Sequence, residues 1–122
     1  MYTTKSSVNV KIPKIISVRK ENLNKLGYEN FEEWISNSKH LYIGRYNHHI
    51  EGTFQSKWHN PFSLIKYGRT KCIKEYEEYI LSNEELLNDL YELNGKILGC
   101  WCKPESCHGD ILIKLFKSKF IE

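Results

Sequence analysis

Three of the four cysteines fall within eight consecutive positions, next to a histidine and an acid: Cys100, Cys102, Cys107, His108 and Asp110. Thiolate and imidazole are preferred ligands of Zn²⁺, so Cys100, Cys102, Cys107 and His108 are candidate zinc ligands. Their spacing disfavours zinc, because two residues usually separate paired ligands, whereas one separates Cys100 from Cys102 and none separates Cys107 from His108. No cofactor is therefore favoured, and zinc is retained as an alternative.

The same cluster is also a candidate catalytic site. Cys107 would lie at the start of a helix, where the pKa of a thiol is lowered and its nucleophilicity is raised. His108 and Asp110 are then the candidates for acid–base chemistry, although neighbours such as Cys107 and His108 rarely face one another. The sequence shows no general base beside a nucleophile and no pair of carboxylates, so whether the protein is an enzyme stays open.

A third interpretation is a phosphate-binding pocket. An apolar strand, a short polar turn and a helix N-terminus follow one another, and the free backbone N–H groups and the dipole of such a helix attract anions. Gly109 allows close approach of the backbone, His108 can donate a hydrogen bond, and Asp110 either caps its helix or accepts one from a ribose or base. Arg45, which follows a strand and Gly44, suits two-point recognition of phosphate.

Further binding candidates lie in the long irregular segment over residues 46–67, which mixes cations with aromatic side chains. Trp58 or Phe62 could stack on a base, and Asn60 could read the base edge or cap a turn. Lys57 and Arg69 would add positive charge around the ligand. The predicted ligand-binding residues are Gly44, Arg45, Lys57, Trp58, Asn60, Phe62, Arg69, Cys102, His108, Gly109 and Asp110.

Hydrophobic periodicity predicts one α/β domain over residues 8–122, preceded by a flexible leader over residues 1–7. Strands are expected in the second half of residues 8–19, over 41–43 and over 97–101. Helices are expected over 22–26, 30–38 and 70–81, from a capping box of Ser82 and Glu85 to residue 93, and from Asp110 onward. This order indicates a mostly parallel sheet of three to four strands flanked by helices, with Arg45 and the cysteine cluster at one edge.

Composition excludes several classes of protein. The net charge of +3 is too small for the basic surface of a dedicated DNA-binding protein, so nucleic acid is a weakly supported partner. No apolar run approaches the about 20 residues that span a bilayer, and the N-terminus has no signal-peptide core, so no membrane partner is expected. The expected location is the cytoplasm, where the cysteines stay reduced.

Three blocks of the sequence, at residues 42–45, 57–62 and 100–110, resemble a small family of uncharacterised function found in bacteria, phages and large DNA viruses. The family pattern reads roughly Tyr-Ile-Gly-Arg, Trp-Gly-Asn-Pro-Phe, and Cys-Trp-Cys-x-Pro followed by Cys-His-Gly-Asp. The similarity covers about residues 14 to 117, and His59 stands where the family usually has glycine. The resemblance implies a phage or viral origin and a shared role for these blocks, but no particular activity.

The leading hypothesis is a protein that binds a nucleotide or another phosphorylated small molecule. A phage protein of this kind would sequester a nucleotide immune signal in the host cytoplasm. One alternative is a nucleotide-processing enzyme, a hydrolase or glycosidic transferase, that uses Cys107, His108 or Asp110. Another is a zinc-stabilised module that binds nucleic acid or protein. A homo-oligomer would allow the loop around Trp58 to complete the site of a second subunit.

Overall fold

The computed structural model describes residues 10–122, so the predicted leader lies outside the described residues. Its sheet has three strands, β1 (Lys14–Ser17), β2 (His40–Tyr42) and β3 (Ile97–Cys100). Strand β3 lies in the centre and pairs in parallel with both neighbours. The predicted α/β class with a parallel sheet is therefore confirmed, and the carboxyl ends of all three strands lie along the same edge.

The helices flank the sheet in the predicted order, with three differences. Asn83, not Ser82, caps the helix Glu84–Asn88, because its extended backbone lets its side chain accept from Leu86 N at 3.1 Å. A 3₁₀ helix follows it, where the sequence predicted one continuous helix to residue 93. A short helix that was not predicted begins after Ser63. The helices are α1 (Lys20–Lys25), α2 (Phe31–Ile35), α3 (Leu64–Tyr67), α4 (Arg69–Leu81), α5 (Glu84–Asn88), the 3₁₀ helix (Leu90–Leu93) and α6 (His108–Phe120).

Each face of the sheet has its own hydrophobic core. The larger core packs residues of α4, α5, the 3₁₀ helix and α6 against the sheet, whereas the smaller one packs α1 and α2. Gly99 of β3 is needed in the smaller core, because a Cβ there would lie 2.6 Å from both the Trp34 ring and Val18 Cγ1. Within the described range, no helix combines the length and apolarity that crossing a membrane requires.

Candidate functional site

A cavity of about 520 Å³ opens at the carboxyl edge of the sheet, a volume typical of small-molecule sites. The ends of β2 and β3, the turn before α3, the start of α4 and the start of α6 together form its wall. It brings together eight of the predicted residues: Gly44, Arg45, Asn60, Phe62, Arg69, Cys102, Cys107 and His108.

Ten lining residues were not predicted from the sequence: Tyr46, Asn47, His48, Ser63, Leu64, Ile65, Cys72, Ile73, Trp101 and Ser106. Two of them could have been predicted from their spacing on a helix. Cys72 and Ile73 lie three and four positions after Arg69 on α4, and such positions share one face of a helix. Because Arg69 was predicted to bind the ligand, Cys72 and Ile73 could have been predicted to lie at the same site.

Arg45 is fixed at the cavity wall by hydrogen bonds to the backbone. Its Nε and Nη2 donate to the carbonyl oxygen of Asn60 at 3.0 and 2.6 Å, and Nη2 also lies 3.3 Å from that of Phe62. Tyr42 Oη donates in turn to the carbonyl of Arg45 at 2.5 Å. Gly44 permits this contact, because a Cβ at that position would lie 2.6 Å from Tyr42 Oη. The 42–45 block thus orients the arginine.

Arg69 lies at the start of α4 and also lines the cavity. Its Nη1 donates to the carbonyl of Ser106 at 2.8 Å, which ties α4 to the turn before α6. Within residues 10–122 every salt bridge uses a lysine, and neither Arg45 nor Arg69 has a carboxylate partner. Among the described residues, no aspartate or glutamate lines the cavity either. Neither arginine is therefore neutralised by a carboxylate, and the Cys102 thiol is the acidic group that lies beside Arg69.

The side chain of Asn60 builds the turn between Arg45 and α3. Its Oδ1 accepts from Phe62 N at 2.9 Å, and its Nδ2 donates to Cys72 Sγ at 3.1 Å. Cys72 donates in turn to the carbonyl of Phe62 at 3.1 Å. Of the two roles expected for Asn60, the geometry matches the turn cap, because both side-chain groups already have partners in the turn.

Two predicted binding residues, Lys57 and Trp58, do not line the cavity. Trp58 is 1% exposed and packs in the larger core, where its carbonyl accepts from Tyr76 Oη at 2.7 Å. Lys57 projects from the same turn toward Asp89 and Glu92 and forms salt bridges with both. The expectation that Trp58 stacks on a base is corrected accordingly, because its ring is enclosed by the core.

The N-terminus of α6 does not form the predicted phosphate cradle. Gly109 N donates to Cys107 Sγ at 3.1 Å, and Asp110 Oδ2 accepts from Cys107 N at 3.0 Å. Gly109 is buried by packing instead, since a Cβ there would lie 2.0 Å from Ile15 Cδ1. Asp110 is also paired with Lys103 at 2.7 Å. These hydrogen bonds cap the helix internally, so neither Gly109 nor Asp110 faces the cavity.

We expect Asp110→Ala to lower the free energy of unfolding by about 0.5–2 kcal/mol, because it removes the cap of Cys107 N and the partner of Lys103. Chemical denaturation of the variant and the wild type measures this loss. Ligand affinity in the folded state should not change, since Asp110 lies outside the cavity wall. A large loss of affinity with unchanged stability would instead assign Asp110 to the ligand.

His108 is buried between the sheet and α4. Its Nε2 lies 2.7 Å from the carbonyl oxygen of Ile43, so this nitrogen carries the proton and donates. The other nitrogen, Nδ1, lies 3.9 Å from Cys107 Sγ. Burial lowers the pKa of His108 to about 4, and the charge of Arg45 acts in the same direction. The ring is therefore neutral near pH 7 and holds β2 against α6.

This depressed pKa predicts a loss of stability in mild acid. The unfolded chain binds a proton at His108 below about pH 6.5, whereas the folded chain binds it only below about pH 4. The contribution of His108 is thus complete above pH 6.5 and falls by about 3 kcal/mol as the pH drops to 4. Urea denaturation across this range should show a shallower decline for His108→Gln, which does not titrate. Parallel declines in both proteins would contradict the assignment.

The three clustered cysteines have different acidities. A hydrogen bond from the Cys107 thiol and the neighbouring Arg69 guanidinium lower the pKa of Cys102 to about 6, although burial opposes them. The hydrogen bond with Cys107 also lowers the pKa of Cys100, whereas hydrogen bonds with Cys100 and Cys102, together with burial, raise the pKa of Cys107. The expected acidic thiol at Cys107 is corrected to Cys102. No group of three or more His, Cys, Asp or Glu residues in the described part of the chain is arranged to hold a metal ion.

Comparison with known proteins places the chain in a family. The model of the domain of unknown function DUF4326 matches residues 28–118. The chain belongs to this family. The matched range includes every residue that lines the cavity but not β1. The resemblance inferred from the three sequence blocks is thereby confirmed at the level of an uncharacterised domain family.

Two relatives from viruses are similar to this DUF4326 chain. The uncharacterized protein R718 of Acanthamoeba polyphaga mimivirus is 42% identical over 71 residues, which cover 51% of this chain and 54% of that protein. The uncharacterized 12.4 kDa protein in the nrdA-td intergenic region of Enterobacteria phage T4 is 43% identical over 77 residues, 57% of this chain and 68% of that protein. The chain thus spans about half the length of the mimivirus protein. No solved structure gives a significant match.

Proposed function

We propose that the cavity binds a nucleotide or a closely related phosphorylated small molecule. The observation that carries this proposal is the charge of the wall, to which residues 10–122 contribute Arg45 and Arg69 and no carboxylate. Each guanidinium is held in place by backbone carbonyls through part of its N–H groups. The remaining N–H groups can form charge-assisted hydrogen bonds to phosphate oxygens, for which the planar guanidinium is well suited.

The rest of the cavity suits the base or sugar of a nucleotide. Its wall is mainly apolar and aromatic, with Tyr46, Phe62 and Trp101 among the lining residues. Trp101 is held by a hydrogen bond from its Nε1 to Tyr42 Oη at 2.7 Å, so its ring has a defined position. An aromatic face and a cationic region in one cavity can bind the two halves of a nucleotide at once.

This arrangement differs from the phosphate cradle expected at the start of α6. Phosphate binding is assigned to the arginines because the backbone amides of Cys107 and Gly109 already have acceptors. With relatives in a mimivirus and phage T4, a viral protein of this design would act by sequestering a nucleotide signal of the host cell. Sequestration requires binding alone, without turnover.

Native mass spectrometry of the full chain with AMP, ADP and adenosine tests the proposal. We expect one nucleotide per chain with AMP and ADP, and a much weaker complex with adenosine, which lacks the phosphate. Lys57→Ala is the matched control, because it removes a cation that lies outside the cavity. Equal binding of adenosine and AMP, or loss of binding in Lys57→Ala, would contradict the assignment. Conversion of the nucleotide would instead favour the nucleotide-processing enzyme.

A further inference from the structure

A second cavity, of about 260 Å³, opens next to the arginine-lined first cavity. Trp101 lines both cavities. Residues 46–51 also border both, because His48 lines the first cavity and His49 lines the second. The ring centroids of these two histidines lie 3.9 Å apart. The two cavities therefore share a wall that is built from Trp101 and residues 46–51.

Hydrogen bonds hold this shared wall in place. Trp101 Nε1 donates to Tyr42 Oη at 2.7 Å, and the Trp101 carbonyl accepts from Arg19 Nε at 2.9 Å. On the other side, the buried Thr53 hydroxyl accepts from Asn47 N at 3.0 Å and donates to the Asn47 carbonyl at 2.8 Å. Both cavities are therefore pre-formed, which lowers the entropic cost of binding a ligand against the wall.

The second cavity differs from the first in the charge of its lining. Its apolar part includes Leu23 and Phe31. Glu32 and Glu51 add two carboxylates, and neither forms a salt bridge within residues 10–122. Among the described residues the lining has no arginine, and its carboxylates outnumber its single lysine, Lys20. A phosphate is therefore disfavoured in the second cavity, whereas a flat ring that donates hydrogen bonds is favoured.

We propose that the second cavity binds the second base of a dinucleotide whose phosphates lie at Arg45 and Arg69. This inference rests on the proposed nucleotide binding and names the class of ligand. A base that carries an amino group packs against Trp101 in the second cavity, and its N–H groups donate to Glu32 or Glu51. The first cavity holds the phosphates and the first nucleoside.

The volumes of the two cavities support this division. Pockets that enclose a complete drug-sized ligand have volumes of roughly 300–1,000 Å³. The first cavity, at about 520 Å³, falls within this range, whereas the second, at about 260 Å³, falls below it and suits one ring system of a larger molecule. A ligand that bridges the shared wall gains the contacts of its second base without a second loss of translational freedom.

Isothermal titration calorimetry of the full chain with ADP, ADP-ribose and diadenosine diphosphate tests the proposal. ADP-ribose has the two phosphates and the second ribose of diadenosine diphosphate and carries the same charge, but it lacks the second base. We expect diadenosine diphosphate to bind about tenfold more tightly than ADP-ribose, because the protein gains the stacking and hydrogen bonds of one further base. One molecule of diadenosine diphosphate should bind per chain.

The carboxylates of the second cavity provide the matched variants. Replacing both Glu32 and Glu51 with alanine removes the acceptors for the second base and leaves the arginines in place. The preference for diadenosine diphosphate over ADP-ribose should then fall below about threefold, with the affinity for ADP-ribose unchanged. The control replaces Glu84 and Glu85 of α5 with alanine, which removes the same charge at positions outside both cavities and should keep the preference.

The possible results distinguish this inference from the proposed function. If ADP binds but diadenosine diphosphate binds no more tightly than ADP-ribose, the second cavity is not a base site, and nucleotide binding still stands. If none of the three probes binds, both proposals are wrong. One diadenosine diphosphate per two chains would also overturn the inference, because its second base would then occupy the first cavity of another chain. Loss of the preference in the Glu84 and Glu85 control would contradict a specific role for the carboxylates of the second cavity.

Discussion

Replacing Arg69 with alanine should weaken the binding of AMP by about 10- to 100-fold. The expected magnitude follows from the loss of a charge-assisted hydrogen bond, which contributes about 1.5–3 kcal/mol. Arg69 is a suitable residue for the test because it has no carboxylate partner within the described range, so its removal leaves no unpaired carboxylate. Its removal also takes a positive charge away from the Cys102 thiol. Isothermal titration calorimetry at fixed salt measures the change.

The control for this experiment is Lys57→Ala, which removes the same formal charge at a position outside the cavity. It should bind AMP as the wild type does, apart from a small effect of net charge that salt screens. Thermal unfolding of both variants checks that the fold is intact, since Arg69 also donates to the carbonyl of Ser106. Equal losses of affinity in the two variants would indicate nonspecific attraction and contradict a specific role for Arg69.

Replacing Trp58 with alanine should lower the free energy of unfolding by about 3–5 kcal/mol, because it leaves a large cavity in the larger core. That loss is a large fraction of the about 5–15 kcal/mol by which small domains are stable. Chemical denaturation measures it. Trp58→Phe should cost much less, because it refills most of the space and removes an indole N–H that has no hydrogen-bond partner among the described residues.

Trp101 provides the opposite comparison. It is only partly buried and lines the cavity, so Trp101→Phe should cost little stability but weaken AMP binding, because the larger ring and its anchoring N–H are lost. The substitutions at Trp58 and Trp101 would then distinguish a residue that stabilises the core from one that binds the ligand. If Trp58→Phe weakens binding while Trp101→Phe does not, the sequence-based assignment of Trp58 to the ligand would be restored.

Much of the fold followed from local patterns in the sequence. Apolar runs predicted all three strands, and Arg45 and Cys102 could be placed at one edge because parallel strands share a carboxyl end. The helix predicted over residues 30–38 begins at Asn30, whose side chain accepts from Glu33 N at 2.9 Å and caps it. Such features depend on residues that are close in sequence.

The sequence-based assignments of Trp58 and Cys107 were wrong because residues distant in sequence determine the environment of both side chains. No periodicity in the segment around Trp58 indicates that its ring enters the core, because the enclosing side chains come from remote helices. Residues distant in sequence also determine the pKa values of the clustered thiols. The helix start favoured an acidic Cys107, but its hydrogen bonds with Cys100 and Cys102 raise its pKa. The hydrogen bond with Cys107 and the nearby Arg69 of α4 lower the pKa of Cys102 instead. These effects depend on a tertiary arrangement that no local motif encodes.

The most direct test of the proposed site is a titration of the ¹⁵N-labelled protein with AMP, followed by two-dimensional NMR. We expect saturable shifts of the Arg45 and Arg69 Nε–H signals, of the Trp101 indole N–H and of backbone amides around the cavity, with little change at the Trp58 indole. Adenosine should produce much smaller shifts at the arginines. If AMP leaves both arginine signals unchanged, or shifts only residues remote from the cavity, the cavity is not a nucleotide-binding site.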